Sequence, residues 1–169
     1  MVEHLTATNF FYALSGGFLP SLLWLWFWLK EDKKHPEPKK AILAAFLGGM
    51  AAVPVAMGLE YFTLVYMGIV GAGGFAVWAF VEEILKYFAA KKTSFAKKYF
   101  DEPVDALIYM ITAALGFASL ENTLFIFKSF LDSSIIEGIN TGNMRFIGAT
   151  LLHTASSALV GAAIAFSFF

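Results

Sequence analysis

The chain has 169 residues, no cysteine and a formal net charge of −1, with a mean hydropathy of +0.68. Hydrophobic residues make up 59% and charged residues 15%, against about 45–50% and about 25% in soluble domains, so an ordinary water-soluble domain is excluded. No basic face interleaved with aromatics suggests nucleic acid, and without cysteine there is no disulfide framework, thiolate nucleophile or thiolate metal ligand.

Crossing the hydrocarbon takes about 20 mainly apolar residues, which predicts an all-α, polytopic transmembrane helix bundle of about five spans. The whole chain, residues 1–169, then forms a single membrane-embedded domain with the bilayer as a partner. The first span is Phe10 to Leu29. It lacks a basic region ahead of the apolar run, having Glu3 and His4 there, so it is expected to be retained rather than removed as a secretory signal. Pro36 and Pro38 make the connector from Lys30 to Lys40 an extended loop. A second span covers Ala41 to Met57; Glu60 then marks either a loop or the continuation of a long tilted helix. Gly68 to Ala90 is the third span, and Thr93 to Pro103 an amphipathic stretch along the inner interface. The fourth is Val104 to Phe127, followed by an irregular outer loop from Lys128 to Met144, signalled by Ser133, Ser134, Gly138 and Gly142. Phe146 to Phe169 is the fifth.

Charge between spans orients the bundle. Lys30, Lys33, Lys34, Lys39, Lys40, Lys91, Lys92, Lys97 and Lys98 fall in two connectors on one side, against Lys128 and Arg145 on the other. The positive-inside rule puts the lysine-rich loops in the cytoplasm and the N-terminus outside a cell membrane. Trp24, Trp26 and Trp28 cluster at the inner end of the first span, where amphipathic rings favour the headgroups. Pro20 and Pro54 fall inside spans, and small residues including Gly116 and Gly161 mark the later spans as the packed core.

Within this apolar frame several polar groups stand out, each costing about 2.5–3.5 kcal/mol at a span centre if charged. Glu82 and Glu83 point to neighbouring helix faces, with Lys86 one turn on at i+4 and i+3. A simple ion pair would need one glutamate, and there are two. Glu121 and Asn122 lie deep in the fourth span, where Asn122 suits an interhelical hydrogen bond as well as a catalytic role. His153 sits inside the fifth span, eight residues after Arg145. Asp105, two residues after Pro103, fits a favourable first-turn carboxylate as readily as a supporting catalytic role. Taken as straight spans, Glu82 and Glu83 sit about 10 Å from the level of Glu121 and His153, an offset that tilting, a bend near Gly116 or a shifted boundary must close.

The residues at these positions carry a resemblance. Glu82-Glu83-Ile84-Leu85-Lys86 resembles the EExxK motif of the PrsW-type intramembrane proteases. Asp105, leading to Gly116-Phe117-Ala118-Ser119-Leu120-Glu121-Asn122, resembles the family's second motif, and Arg145, His153 and Gly161 at eight-residue intervals its third. The family is distantly related to CAAX-processing and bacteriocin-immunity membrane proteases. The resemblance covers about Gly68 to the end and implies a metal-independent glutamate protease, without cofactor, acting on membrane-associated proteins such as an anti-sigma factor. The family's further histidine on a later helix has no counterpart, because the sequence stops at Phe169; the expectation is either a truncated chain or a dispensable histidine. In the expected chemistry one of Glu82 and Glu83 activates water while the other pairs with Lys86. His153 and Asn122 polarise the carbonyl or hold the oxyanion, and Glu121 orients His153 or shares a proton. Two rivals remain on the residues alone: a metalloprotease, disfavoured by the lack of HExxH and by a single histidine, and a proton-coupled transporter or membrane scaffold burying paired carboxylates.

Overall fold

In the computed structural model residues 7–31, 35–95, 98–132 and 134–168 are described; Glu3, His4, Lys33, Lys34, Lys97, Ser133 and Phe169 lie outside them. The described residues form helices and turns without a strand: α1 (Ala7–Glu31), α2 (Lys39–Met67), α3 (Gly71–Ala90), α4 (Pro103–Asp132), α5 (Ile135–Met144) and α6 (Thr150–Phe168). Single π-helical turns, Lys91–Phe95 and Arg145–Ala149, extend α3 and join α5 to α6. Four helical rods are long and apolar enough to cross a membrane, namely Ala7–Lys30, Lys39–Met67, Pro103–Asp132 and Ile136–Ser167. At 20 residues α3 has the length, about 30 Å, but carries Glu82, Glu83 and Lys86 within it. The all-α membrane bundle read from composition is the fold.

The centre of the bundle is α4. Its most apolar window is 78% buried, against 17–39% in the other three rods, and it packs on α1, α2 and α6. Glycine makes these crossings close. A Cβ on Gly49 would lie on the Ala113 carbonyl, and one on Gly116 on the Phe46 carbonyl, so α2 and α4 touch backbone to backbone. At the α6 crossing a Cβ on Gly161 would come within 2.8 Å of the Leu107 Cα. Gly116 thus serves close approach, as small residues do in membrane bundles. Large apolar side chains face outward instead, among them Phe11, Leu19, Leu23, Tyr61, Phe75 and Phe80. That surface is unfavourable in water and suited to lipid.

Several boundaries move. Glu60 does not interrupt α2, which runs unbroken to Met67 and ends on Gly68, whose φ of 63° takes the left-handed form. Gly71 repeats that φ at the entry to α3, so the third helix begins three residues later than expected. The expected irregular outer loop is largely helical: α4 continues to Asp132, and Ile135–Met144 forms α5. Ser134 acts as its N-cap, accepting the Glu137 N–H at 3.2 Å, and the Phe130 ring fills the space a Cβ on Gly138 would need. Residues taken as helix breakers therefore cap and pack a helix. The amphipathic stretch expected along the inner interface begins instead as the π turn closing α3.

The two lysine-rich connectors lie at one end of the bundle. His35 Nδ1 is 3.5 Å from Glu102 Oε1, and the Tyr109 hydroxyl donates to Glu37. Of the three tryptophans near this end, Trp26 faces outward under the Lys30 ammonium, 3.6 Å from its ring centroid, whereas Trp24 and Trp28 pack toward Phe46, Ile111 and Leu115.

Candidate active site

From the opposite end of the bundle, Glu82 is eleven residues into α3 and Glu121 eleven residues from the end of α4, each about 16 Å deep by helical rise. His153 lies on a rod that starts near Ile136 rather than Phe146, so it too is deep. The 10 Å offset closes because α3 starts three residues later than expected and α4 and the last rod run on past their most apolar stretches.

Lys86 is the hub. Its side chain is 1% exposed, and Nζ donates to Glu83 Oε1 at 2.9 Å and Glu82 Oε2 at 3.3 Å. The third Nζ contact is His153 Nδ1 on α6, at 2.9 Å. An ammonium has no lone pair, so His153 Nδ1 is the acceptor and its proton sits on Nε2, which donates to Glu121 Oε2 at 3.0 Å. Phe117 packs beneath, its ring centroid 4.7 Å from Lys86 Nζ and 5.4 Å from the imidazole.

The two adjacent glutamates differ in their surroundings. Glu83 also accepts from Ser157 Oγ at 2.8 Å on each carboxylate oxygen and from Ser156 Oγ at 3.2 Å. Among the described residues no hydroxyl clamps Glu82 in this way. Its carboxyl instead faces Glu60 of α2, in hydrogen-bonding position, with Glu121 and Lys86 close enough to act on Glu60 through space. Side-chain exposures of 15%, 18% and 16% for Glu82, Glu83 and Glu121 leave each carboxylate reachable, unlike the lysine.

A second cation closes the cluster from the π turn. Arg145 donates through a terminal nitrogen to Glu121 and through Nε to Asn122 Oδ1 at 2.6 Å. Asn122 Nδ2 donates to Thr150 Oγ1 at 3.0 Å, and that hydroxyl donates to the Arg145 carbonyl at 3.1 Å. The wider turn thereby holds the guanidinium over α4. A cavity of about 290 Å³ between α2 and α4 meets this cluster, with Glu60 and Glu121 among Val53, Ala56, Met57 and Phe117 in its lining.

Glu82, Glu83, Lys86, Glu121, Asn122, Arg145 and His153 thus come together from α3, α4 and the last rod. Asp105 does not join them: its Oδ2 accepts the Asp101 and Glu102 N–H groups at 2.9 and 2.8 Å, at the start of α4. Sequence reasoning missed Ser156, Ser157, Thr150 and Glu60. The two serines follow His153 by three and four residues, the spacing that puts them on its helix face, and Glu60 is an intramembrane carboxylate, a signal in itself.

Residues 37–169 match the family described as PrsW family intramembrane metalloprotease. The chain is 31% identical over 132 residues to Protease PrsW of Geobacillus kaustophilus, covering 76% of this chain and 58% of that protein. With Protease PrsW of Bacillus subtilis it shares 29% over 133 residues, 76% of this chain and 60% of the other, and with that of Clostridioides difficile 30% over 136 residues, 73% and 54%. The chain therefore spans between 54% and 60% of the length of these relatives. No solved structure matches it.

The residues present do not fit the metal in that family description. Catalytic zinc takes three protein ligands, largely imidazoles and carboxylates, and among the described residues no group of three or more His, Cys, Asp or Glu is arranged to hold an ion. The oxygens and the imidazole nitrogen that would serve are turned onto the Lys86 ammonium. Motif residues on three helices converge on that lysine, the match extends over most of the chain, and the chain belongs to the PrsW family of intramembrane proteases.

Proposed function

We propose that this chain carries the hydrolytic centre of an intramembrane endopeptidase, in which Glu82 activates the attacking water. The asymmetry of the glutamate pair carries this reading. Glu83 is held by Lys86, Ser156 and Ser157, which leaves Glu82 as the carboxylate with capacity for a water. Hydrolysis needs a base for the water and donors where the carbonyl oxygen gains charge. The donors free for this are the second Asn122 amide N–H and the remaining N–H groups of the Arg145 guanidinium, while the His153 Nε2–H stays on Glu121. Glu121 fixes the imidazole from one side and Lys86 from the other, so the ring is oriented before substrate arrives.

The substrate is a membrane-associated protein of the anti-sigma-factor kind. The chain sits in the plasma membrane with its lysine-rich connectors on the cytoplasmic side. Glu82→Gln and Glu83→Gln, made in the full chain and presented with a membrane-anchored substrate, test the assignment. Cleavage falls by on the order of 10²–10⁴-fold in Glu82→Gln, with expression intact. Retained cleavage by both variants, or solute flux in liposomes without any proteolytic product, refutes the protease reading in favour of a transporter or scaffold.

A further inference from the structure

We propose that Glu60 is a third carboxyl of this centre and protonates the leaving amine; this rests on the hydrolytic reading of the cluster. Glu60 is half-buried on α2, lines the same cavity as Glu121 and faces Glu82. Its place is fixed by the contact between α2 and α3. Trp78 Nε1 donates to Thr63 Oγ1 at 2.9 Å, and that hydroxyl donates to the Glu60 carbonyl at 2.8 Å. In an antiparallel pair held there, Glu60 one turn before Thr63 comes opposite Glu82 one turn after Trp78.

The cluster lacks another free acid for the amine. Glu83 is clamped by two serines and the lysine, Glu121 is bound to Arg145 and His153, and Lys86 has all three N–H groups committed. Four carboxyls, Glu60, Glu82, Glu83 and Glu121, stand against two cations, Lys86 and Arg145. Two of the four carboxyls thus have no cation of their own, and in this proposal Glu60 is the one that carries the acid form.

The step balances with that proton alone. Glu82 carboxylate takes a proton from water as the water oxygen bonds to the scissile carbonyl carbon. Glu60, in its acid form, gives its proton to the amide nitrogen as the carbon–nitrogen bond breaks. The proton gained by Glu82 then passes to the Glu60 carboxylate across the contact between them, and both groups return to their starting forms. The products are one carboxylic acid and one amine.

The experiment compares two leaving groups in detergent micelles, using a leucine-rich peptide amide and the p-nitrophenyl ester of the same acyl segment. An amine must be protonated to leave and p-nitrophenolate need not be. Glu60→Gln lowers kcat for the amide by on the order of 10²-fold with KM unchanged, and leaves ester hydrolysis at the wild-type rate; Glu60→Asp regains part of the amide rate. Glu82→Gln loses both reactions. Equal losses on amide and ester in Glu60→Gln, or an undiminished amide rate, overturn the proposal while leaving the role of Glu82 standing. A wild-type chain that cleaves neither substrate overturns the hydrolytic reading and this one with it.

Discussion

Replacing Lys86 by Met removes the hub of the cluster while nearly preserving its volume. The lysine is 1% exposed and has carboxylate oxygens 2.9 and 3.3 Å from Nζ. Unit charges about 3 Å apart attract by about 5 kcal/mol at an effective dielectric of about 20, although desolvation of both partners offsets much of this. Removing one side of a buried ion pair strands the other, at a cost of about 3–5 kcal/mol, and we expect Lys86→Met to fall in that range. The paired variant isolates the cause. In Lys86→Met with Glu83→Gln only Glu82 remains stranded on α3, so the double variant is less destabilised than the sum of the singles, by about 0.5–3 kcal/mol. Reversible unfolding in mixed detergent micelles, followed by far-ultraviolet circular dichroism, measures all three. A Lys86→Met loss below about 1 kcal/mol, or singles that add within about 0.5 kcal/mol, refutes the hub.

Gly116→Val drives a side chain into the Phe46 carbonyl. It lowers stability by about 1–3 kcal/mol or more, read as a fall in the thermal midpoint, and lowers cleavage as α2 separates from α4. Asp105→Ala removes the acceptor of two backbone N–H groups and costs about 0.5–2 kcal/mol. Cleavage stays at the wild-type rate, because Asp105 is about 24 Å along α4 from Glu121; a selective loss of cleavage would return Asp105 to the centre. Treatment with 1,10-phenanthroline leaves cleavage unchanged, and metal analysis of the purified chain finds no stoichiometric zinc. A zinc-dependent rate would show that the carboxylates leave Lys86 for an ion.

Much of this was legible in the chain because the strongest signals are local. Lys86 follows Glu82 and Glu83 at spacings that helical geometry alone makes into contacts, and both appear. Apolar runs likewise located the spans. Helix ends were less legible, since hydropathy marks where a helix leaves hydrocarbon rather than where its hydrogen bonds stop. Ser134 and Gly138 read as loop residues in isolation, yet one caps α5 and the other admits the Phe130 ring. That error carried into the depth of Glu121 and His153, whose helices continue past the predicted boundaries. Glu60 was missed for a different reason: its meaning depends on the register of α2 against α3, set by Trp78 and Thr63 fifteen residues apart.

The arrangement also bears on how such a cluster enters lipid. Lys86 pairs with both glutamates from the same helix, so α3 carries a counter-charge for one of them before it meets any other element. Glu121 has no such partner on α4: its cations come from Arg145 and, through the imidazole, from Lys86. An unpaired carboxylate at a helix centre is costly in lipid, and that penalty is lifted only when the last rod docks. The contact that gives Glu121 its cation therefore also brings His153 onto Lys86, and the pairing of α4 and the assembly of the centre happen in the same event.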